Sequence, residues 1–169
     1  MRMDKKVLHI DDDPTILKIV GHKLRKSGYE VISLEDPDQA FLHIFQNAIR
    51  VVILDIDMPK KDGLTLLRDI KHRDGGIQAI MLTGMVSMST VLQATRLGAE
   101  DFVFKPINDL SDITRAVDRS FEKINRWWTA LHDWMERMND MKMTAASTDG
   151  FKTPPDFNGK LSFAPEIYS

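Results

Sequence analysis

The sequence predicts an α/β fold in which a parallel sheet is covered by helices on both faces. Short apolar, β-branched runs recur five times, at residues 7–10, 31–34, 51–54, 77–82 and 102–104. Each is followed by a polar break and then a stretch with helical spacing, which is the pattern of repeated strand–helix units. The breaks also hold helix start and stop signals where that alternation needs them.

Taken in order, VLHI at residues 7–10 reads as the first strand, and Asp13-Pro14 opens the first helix. An aspartate before proline supplies a capping carboxylate, and proline at the first helical position gives up only an N–H that has no helical partner. Gly28 stands where that helix must stop. VISL forms the second strand, and Asp36-Pro37 repeats the capping signal. VVIL is the third strand, with Gly75-Gly76 closing the helix after it. Residues 77–82 form the fourth strand, Gly98 ends the fourth helix, and residues 102–104 form the fifth strand. Asp13 itself reads as a helix cap rather than a ligand.

Composition limits the possible functions. The chain has 169 residues, 43% of them apolar, enough for one domain with a real core plus an appendage. It carries 23 Lys+Arg against 25 Asp+Glu. Residues 107–169 hold 8 basic and 10 acidic side chains, so that segment has no basic excess for gripping DNA. The absence of cysteine excludes disulfides, thiolate catalysis and cysteine-ligated zinc. No apolar stretch matches a signal peptide or a membrane span, so a cytoplasmic protein without membrane contact is expected.

The chemistry gathers at the strand ends. In an open parallel sheet, reactive groups collect at the carboxyl ends of the strands. Asp11 and Asp12 follow the first strand, Asp55 ends the third, Thr83 ends the fourth, and Lys105 follows the fifth before Pro106. If strands one, three, four and five are neighbours, three carboxylates, a hydroxyl and an ammonium share one crevice. Clustered carboxylates call for a hard cation, and an oxygen ligand set suits Mg²⁺. A carboxylate beside such an ion is a nucleophile toward phosphorus, and Lys105 and Thr83 are suited to hold the phosphoryl oxygens.

VLHIDDD, VVILDIDMPKKDG, AIMLTG and DFVFKP resemble the four signature regions of the receiver domain of two-component response regulators, over residues 5–121. The resemblance implies a flavodoxin-like, doubly wound five-stranded sheet of order 2-1-3-4-5 with five helices. It implies that Asp55 is the phospho-acceptor, supplied by a sensor histidine kinase or a phosphotransfer protein. Mg²⁺ would be held by Asp11, Asp12, Asp55 and the backbone carbonyl of Asp57. Thr83 corresponds to the switch hydroxyl, Lys105 to the phosphate-pairing lysine before a cis peptide to Pro106, and Phe102 to the switch aromatic. Met58-Pro59 and Asp62-Gly63 match the loop that shapes the wall of the site. Such a protein is a signalling switch, like the single-domain chemotaxis regulators, that catalyses only its own phosphotransfer and slow dephosphorylation. Three features depart from or colour the pattern: Phe rather than Tyr at 102, Asp57 two past the acceptor, and Met85 two past Thr83.

Two other readings compete. Asp55-Ile56-Asp57 also resembles the DxD nucleophile motif of haloacid-dehalogenase-type phosphatases, although that motif ends the first strand in those enzymes. A pseudo-receiver binding module would keep the fold and lose the chemistry, yet all five chemical positions are present.

The helical pattern after the fifth strand continues beyond a receiver's needs. Leu110, Ile113, Val117, Ser120, Ile124, Trp127, Leu131, Trp134, Met138 and Met141 alternate in steps of three and four. That is a heptad seam, about 48 Å long as a helix. Phe121, Trp128 and Met135 lie one position beyond it. The expected division is a receiver at residues 1–121, a helical extension at 122–143 and an irregular tail at 144–169. The seam predicts a homodimer through residues 110–141, with packing against Phe151, Phe157 and Phe163 of the tail as the local alternative. The residues after 121 are too few for a winged-helix domain, so output is expected through contacts with a downstream protein.

Overall fold

The computed structural model describes residues 5–84, 87–107 and 109–147, with side chains as far as Met141. Met85 and the tail phenylalanines Phe151, Phe157 and Phe163 lie outside the described residues. The elements alternate as the sequence predicts: β1 (Lys6–Ile10), α1 (Pro14–Lys26), β2 (Glu30–Leu34), α2 (Ala40–Gln46), β3 (Val51–Asp55), α3 (Gly63–Arg73), β4 (Gln78–Thr83), α4 (Met88–Arg96), β5 (Asp101–Phe104) and α5 (Ser111–Ser147). The strands form one parallel sheet of order β2-β1-β3-β4-β5. This is the flavodoxin-like, doubly wound arrangement.

Side-chain alternation along each strand separates two cores. Leu8, Ile10, Val52, Leu54, Ala79 and Met81 face α2, α3 and α4, where they meet Ala40, Ile44, Leu67, Ile70 and Ala94. Val7, Val51, Ile53, Ile80, Leu82 and Val103 face α1 and α5, where they meet Val20, Leu24, Ile113, Val117 and Phe121. The strands at the centre are therefore apolar on both faces, as a covered parallel sheet requires.

The local signals act as their chemistry dictates. Asp13 caps α1 by accepting from the Thr15 N–H at 2.7 Å, with Pro14 at the first helical position. Asp36 caps a 3₁₀ turn at Pro37–Gln39 that leads into α2, so its signal starts a shorter, tighter element than a full helix. Gly28 and Gly98 take φ of +88° and +95°, the left-handed conformation that ends a helix. The third helix stops differently. Asp74 is its C-terminal cap, and the Asp74 side chain accepts from the Gly76 N–H at 2.9 Å.

The chain divides into two compact units, Met1–Trp127 and Trp128–Ser169. Helix α5 runs to Ser147, four residues past the end expected at Met143. Its seam changes character along its length. Ile113, Val117, Ser120 and Ile124 are buried, packed on or beside the α1/α5 face of the sheet, whereas Trp127, Leu131, Trp134, Met138 and Met141 are exposed. The first half of the heptad pattern is thus taken up by the domain's own core and is not available to a second copy. Among the described residues no helix is long and apolar enough to cross a membrane.

Candidate functional site at the strand ends

Strand register assembles the site. Ile10 pairs with Leu54, which puts Asp11 level with Asp55. Asp55 pairs with Leu82, and Thr83 pairs with Phe104, so Thr83 and Lys105 follow at the same edge of the sheet. The Lys105 N–H donates to the Thr83 carbonyl at 2.8 Å, and the Lys105–Pro106 peptide is cis.

Three carboxylates meet there. Asp11 is fully buried, Asp55 is 3% exposed and Asp12 is exposed; one oxygen from each lies within 4.8 Å of the others. Asp11 Oδ1 accepts from the Asp13 N–H at 2.9 Å, which fixes its orientation. Lys105 Nζ lies 2.8 Å from Asp11 Oδ2 and 3.2 Å from Asp55 Oδ1, bridging the two. Neither oxygen gains a well-aligned hydrogen bond. Burial is the main force pushing the Asp55 carboxyl above its ordinary pKa; Lys105 opposes it and Asp11 adds to it. Burial also acts to discharge the Lys105 ammonium, but Asp11 and Asp55 outweigh it and its pKa rises. The site therefore strains toward a further positive charge.

The wall opposite is set by backbone. The Gly63 N–H donates to the Ile56 carbonyl at 2.9 Å. A Cβ at Gly63 would fall 2.0 Å from the Asp55 carbonyl oxygen and 2.8 Å from Ile56 Cα, so only glycine allows α3 to start so close to the end of β3. Asp62 caps α3 through the Leu64 N–H.

The family model of the response regulator receiver domain matches residues 7–118. The chain belongs to that family. Similarity extends to curated relatives: 37% identity over 70% of this chain to the probable transcriptional regulator ycf27 of Guillardia theta, and 33% identity over 73% of this chain to the chemotaxis protein CheY of Bacillus subtilis. The chain spans 47% of the length of the first and 98% of the second. Among solved structures, a receiver domain protein from Clostridium thermocellum aligns with a TM-score of 0.67 and 30% identity, covering 72% of this chain and 98% of that one. Receiver domains are signalling modules rather than enzymes acting on a separate substrate.

Within this receiver the structure brings together Asp11, Asp12, Asp55, Thr83 and Lys105. Thr83 is buried at 1% exposure. Asp57 is exposed in the loop after β3. Phe102 is half-buried against the α2–α4 core and stacks on Phe104 at 6.4 Å between ring centroids.

His9 lies inside β1 and not at a strand end, so strand-end position does not single it out. It stands in the middle of β1, fully buried, with both ring nitrogens lacking a hydrogen-bond partner and Nε2 4.0 Å from Asp11 Oδ2. Burial, with Lys105 adding to it, pushes its pKa down to about 3, so the ring is neutral. The available signal was a lone polar residue inside VLHI, a run otherwise apolar.

Proposed function

We propose that this receiver is a cytoplasmic, phosphorylation-activated response regulator in which Asp55 accepts a phosphoryl group from a sensor histidine kinase or a phosphotransfer protein. The observation that carries the reading is the Lys105 ammonium lying between Asp55 Oδ1 and Asp11 Oδ2 at the end of β3. A carboxylate oxygen of Asp55 attacks phosphorus, the N–P bond of the donor phosphohistidine breaks, and the electron pair leaves on the imidazole nitrogen. The product is an aspartyl phosphate with a newly formed O–P bond. Lys105 then pairs with the phosphoryl oxygens, and the Thr83 hydroxyl donates to them.

The donor set fits Mg²⁺. Asp11 Oδ2 and Asp55 Oδ1 are buried acceptors without hydrogen-bond partners, and all the nearby ligand atoms are hard oxygens. Asp11, Asp12, Asp55 and the backbone carbonyl of Asp57 would hold the ion, which when bound offsets the charge of carboxylates and phosphoryl oxygens together. Incubation with acetyl phosphate and Mg²⁺, read by intact mass, should add one phosphoryl group to the wild type and none to Asp55→Asn. An unmodified wild type, or equal modification of the variant, overturns the assignment.

Output is through protein contacts. Phosphorylation adds close to two negative charges, drawing Thr83 inward and vacating space for Phe102. Phe104 beside it is already 46% exposed. The second compact unit offers a separate surface: Trp128, Leu131, Trp134, Met135, Met138 and Met141 of α5 are 38–67% exposed. Together they leave on the order of 600 Å² of apolar area, most of the ~800 Å² that a standard interface takes from each partner. The charged residues of the same stretch, Asp133, Glu136, Arg137 and Asp140, are three acidic to one basic, so the apolar area rather than charge pairing would bring two copies together. We therefore assign this face to self-association rather than to a different downstream protein.

A further inference from the structure

The sheet has an open edge at β2, which pairs with β1 on one side alone. The Glu30 N–H donates to the Lys5 carbonyl at 2.9 Å, and the Leu34 carbonyl accepts from the Asp11 N–H at 3.2 Å, so both residues turn their backbone groups toward β1. Direction alternates along a strand, and Val31 and Ser33 therefore turn theirs outward. The Val31 carbonyl accepts from Arg25 Nη2 at 3.0 Å on that outer side. The Ser33 N–H and carbonyl have no hydrogen-bond partner among the described residues. Unpaired backbone groups on a strand edge are a template for a further strand.

This edge is the floor of a groove of about 450 Å³, walled by α1 through Leu17, Lys18 and Arg25 and by the entry to α2 through Asp36 and Gln39. That volume falls in the range of ligand sites. Lys18 and Arg25 have no carboxylate partner among the described residues, and Glu35, just past the end of β2, has no cation. Asp36 is already paired with Lys60 at 3.3 Å. The position of Arg25 is built into the helix. Gly21, one turn earlier in α1, is buried, and a Cβ there would lie 3.0 Å from Arg25 Nη1 and 3.3 Å from Ser33 Oγ. Glycine inside a helix is destabilising relative to alanine, and here it leaves the space in which the guanidinium lies over the edge.

We propose that the β2 edge is a strand-addition site for an extended peptide of a partner protein, one in which an acidic residue follows a basic residue by four positions. Paired antiparallel, the peptide residue opposite Ser33 exchanges both backbone hydrogen bonds with it. The residue two positions later stands opposite Val31, beside Arg25, and the residue two positions earlier stands opposite Glu35. All three point to the α1 face of the sheet, as Val31 does. Arg25 keeps the Val31 carbonyl through one N–H and turns others to the peptide carboxylate, since a guanidinium carries five. With the Val31 carbonyl already held, Ser33 is the residue of the edge free to pair on both its groups. That suits a short segment and disfavours open-ended sheet growth between copies of this chain. The site is independent of the chemistry at Asp55.

The test uses the full ¹⁵N-labelled chain and two blocked pentapeptides, KVTVE and its charge-reversed form EVTVK. KVTVE should move the Ser33 amide proton downfield in a saturable titration, and EVTVK should bind about tenfold more weakly, because both charge pairs turn repulsive. Ser33→Pro removes the outward N–H and no bond to β1, a change that an edge strand tolerates. It should melt close to wild type and lose the titration. Arg25→Gln should bring the two peptides to within about twofold of each other, as one of the two charge pairs is gone. A Ser33 amide that stays in place, equal binding of both peptides by wild type, or a folded Ser33→Pro chain that still binds KVTVE overturns the proposal. A Ser33 shift that follows protein concentration without peptide gives the edge to a second copy and overturns it too. Should Ser33→Pro fail to fold, the wild-type titrations and Arg25→Gln decide.

Discussion

Gly63 shows how tightly the site depends on single residues. Its hydrogen occupies a place where a methyl group would lie 2.0 Å from the Asp55 carbonyl oxygen, and both nearby obstacles are backbone atoms that no rotamer change can move. Gly63→Ala must push α3 away from the end of β3. We expect a loss of about 3 kcal/mol, the upper end for overpacked sites, and a melting temperature lower by roughly 10 °C. A variant that melts within 2 °C of wild type would show that the α3 start is free to shift. The sequence made Asp62-Gly63 visible as a motif, but the reason for the glycine is a close approach between α3 and β3 that only the folded chain shows. The acidic pair, Asp55, Thr83 and Lys105 were legible because each terminates or follows a strand. His9 was not, since its meaning depends on which carboxylate it faces.

At the scale of elements, α5 is tied to the rest of the domain by more than apolar contact. Tyr29, in the turn between α1 and β2, stacks on Phe121 at 5.5 Å and donates its hydroxyl to Asp118. Arg119 pairs with Asp101, and Lys123 with Glu100, pinning the same helix to the start of β5. Burial first, then Asp118, raises the Tyr29 pKa. A raised pKa means that the folded state retains a proton the unfolded chain gives up, so this stability is fully present below about pH 10 and is lost as pH rises toward the folded value. Wild type should lose about 1.4 kcal/mol per pH unit above 10 relative to Tyr29→Phe, as followed by urea unfolding between pH 8 and 11. Parallel pH profiles for the two proteins would contradict the buried, hydrogen-bonded state of this hydroxyl. The strands and helices themselves could be read from runs, caps and glycines. The α2 entry could not, because Asp36-Pro37 specifies where a turn of helix begins and says nothing of whether it is 3₁₀ or α.

For the molecule as a whole, the heptad seam carried two meanings that periodicity alone cannot separate. Up to Ile124 it is the stripe by which α5 covers its own sheet; from Trp127 onward the same spacing is exposed. A three-and-four repeat states that one face is apolar and leaves open what covers it. With the second half assigned to self-association, Trp134→Glu should weaken the dimer at least 30-fold, corresponding to about 2 kcal/mol at a central aromatic, and leave acceptance of phosphate intact. Light scattering on both chains across micromolar concentrations checks this, and a wild type that is monomeric throughout contradicts it.

All of these scales meet at one carboxylate. Borohydride reduces an aspartyl phosphate to homoserine, so phosphorylation in the presence of Mg²⁺, reductive trapping and peptide mapping locate the acceptor directly. Homoserine is expected at position 55 and at no other position. Homoserine at 11, 12 or 57, or a phosphoryl group that resists borohydride, would contradict it.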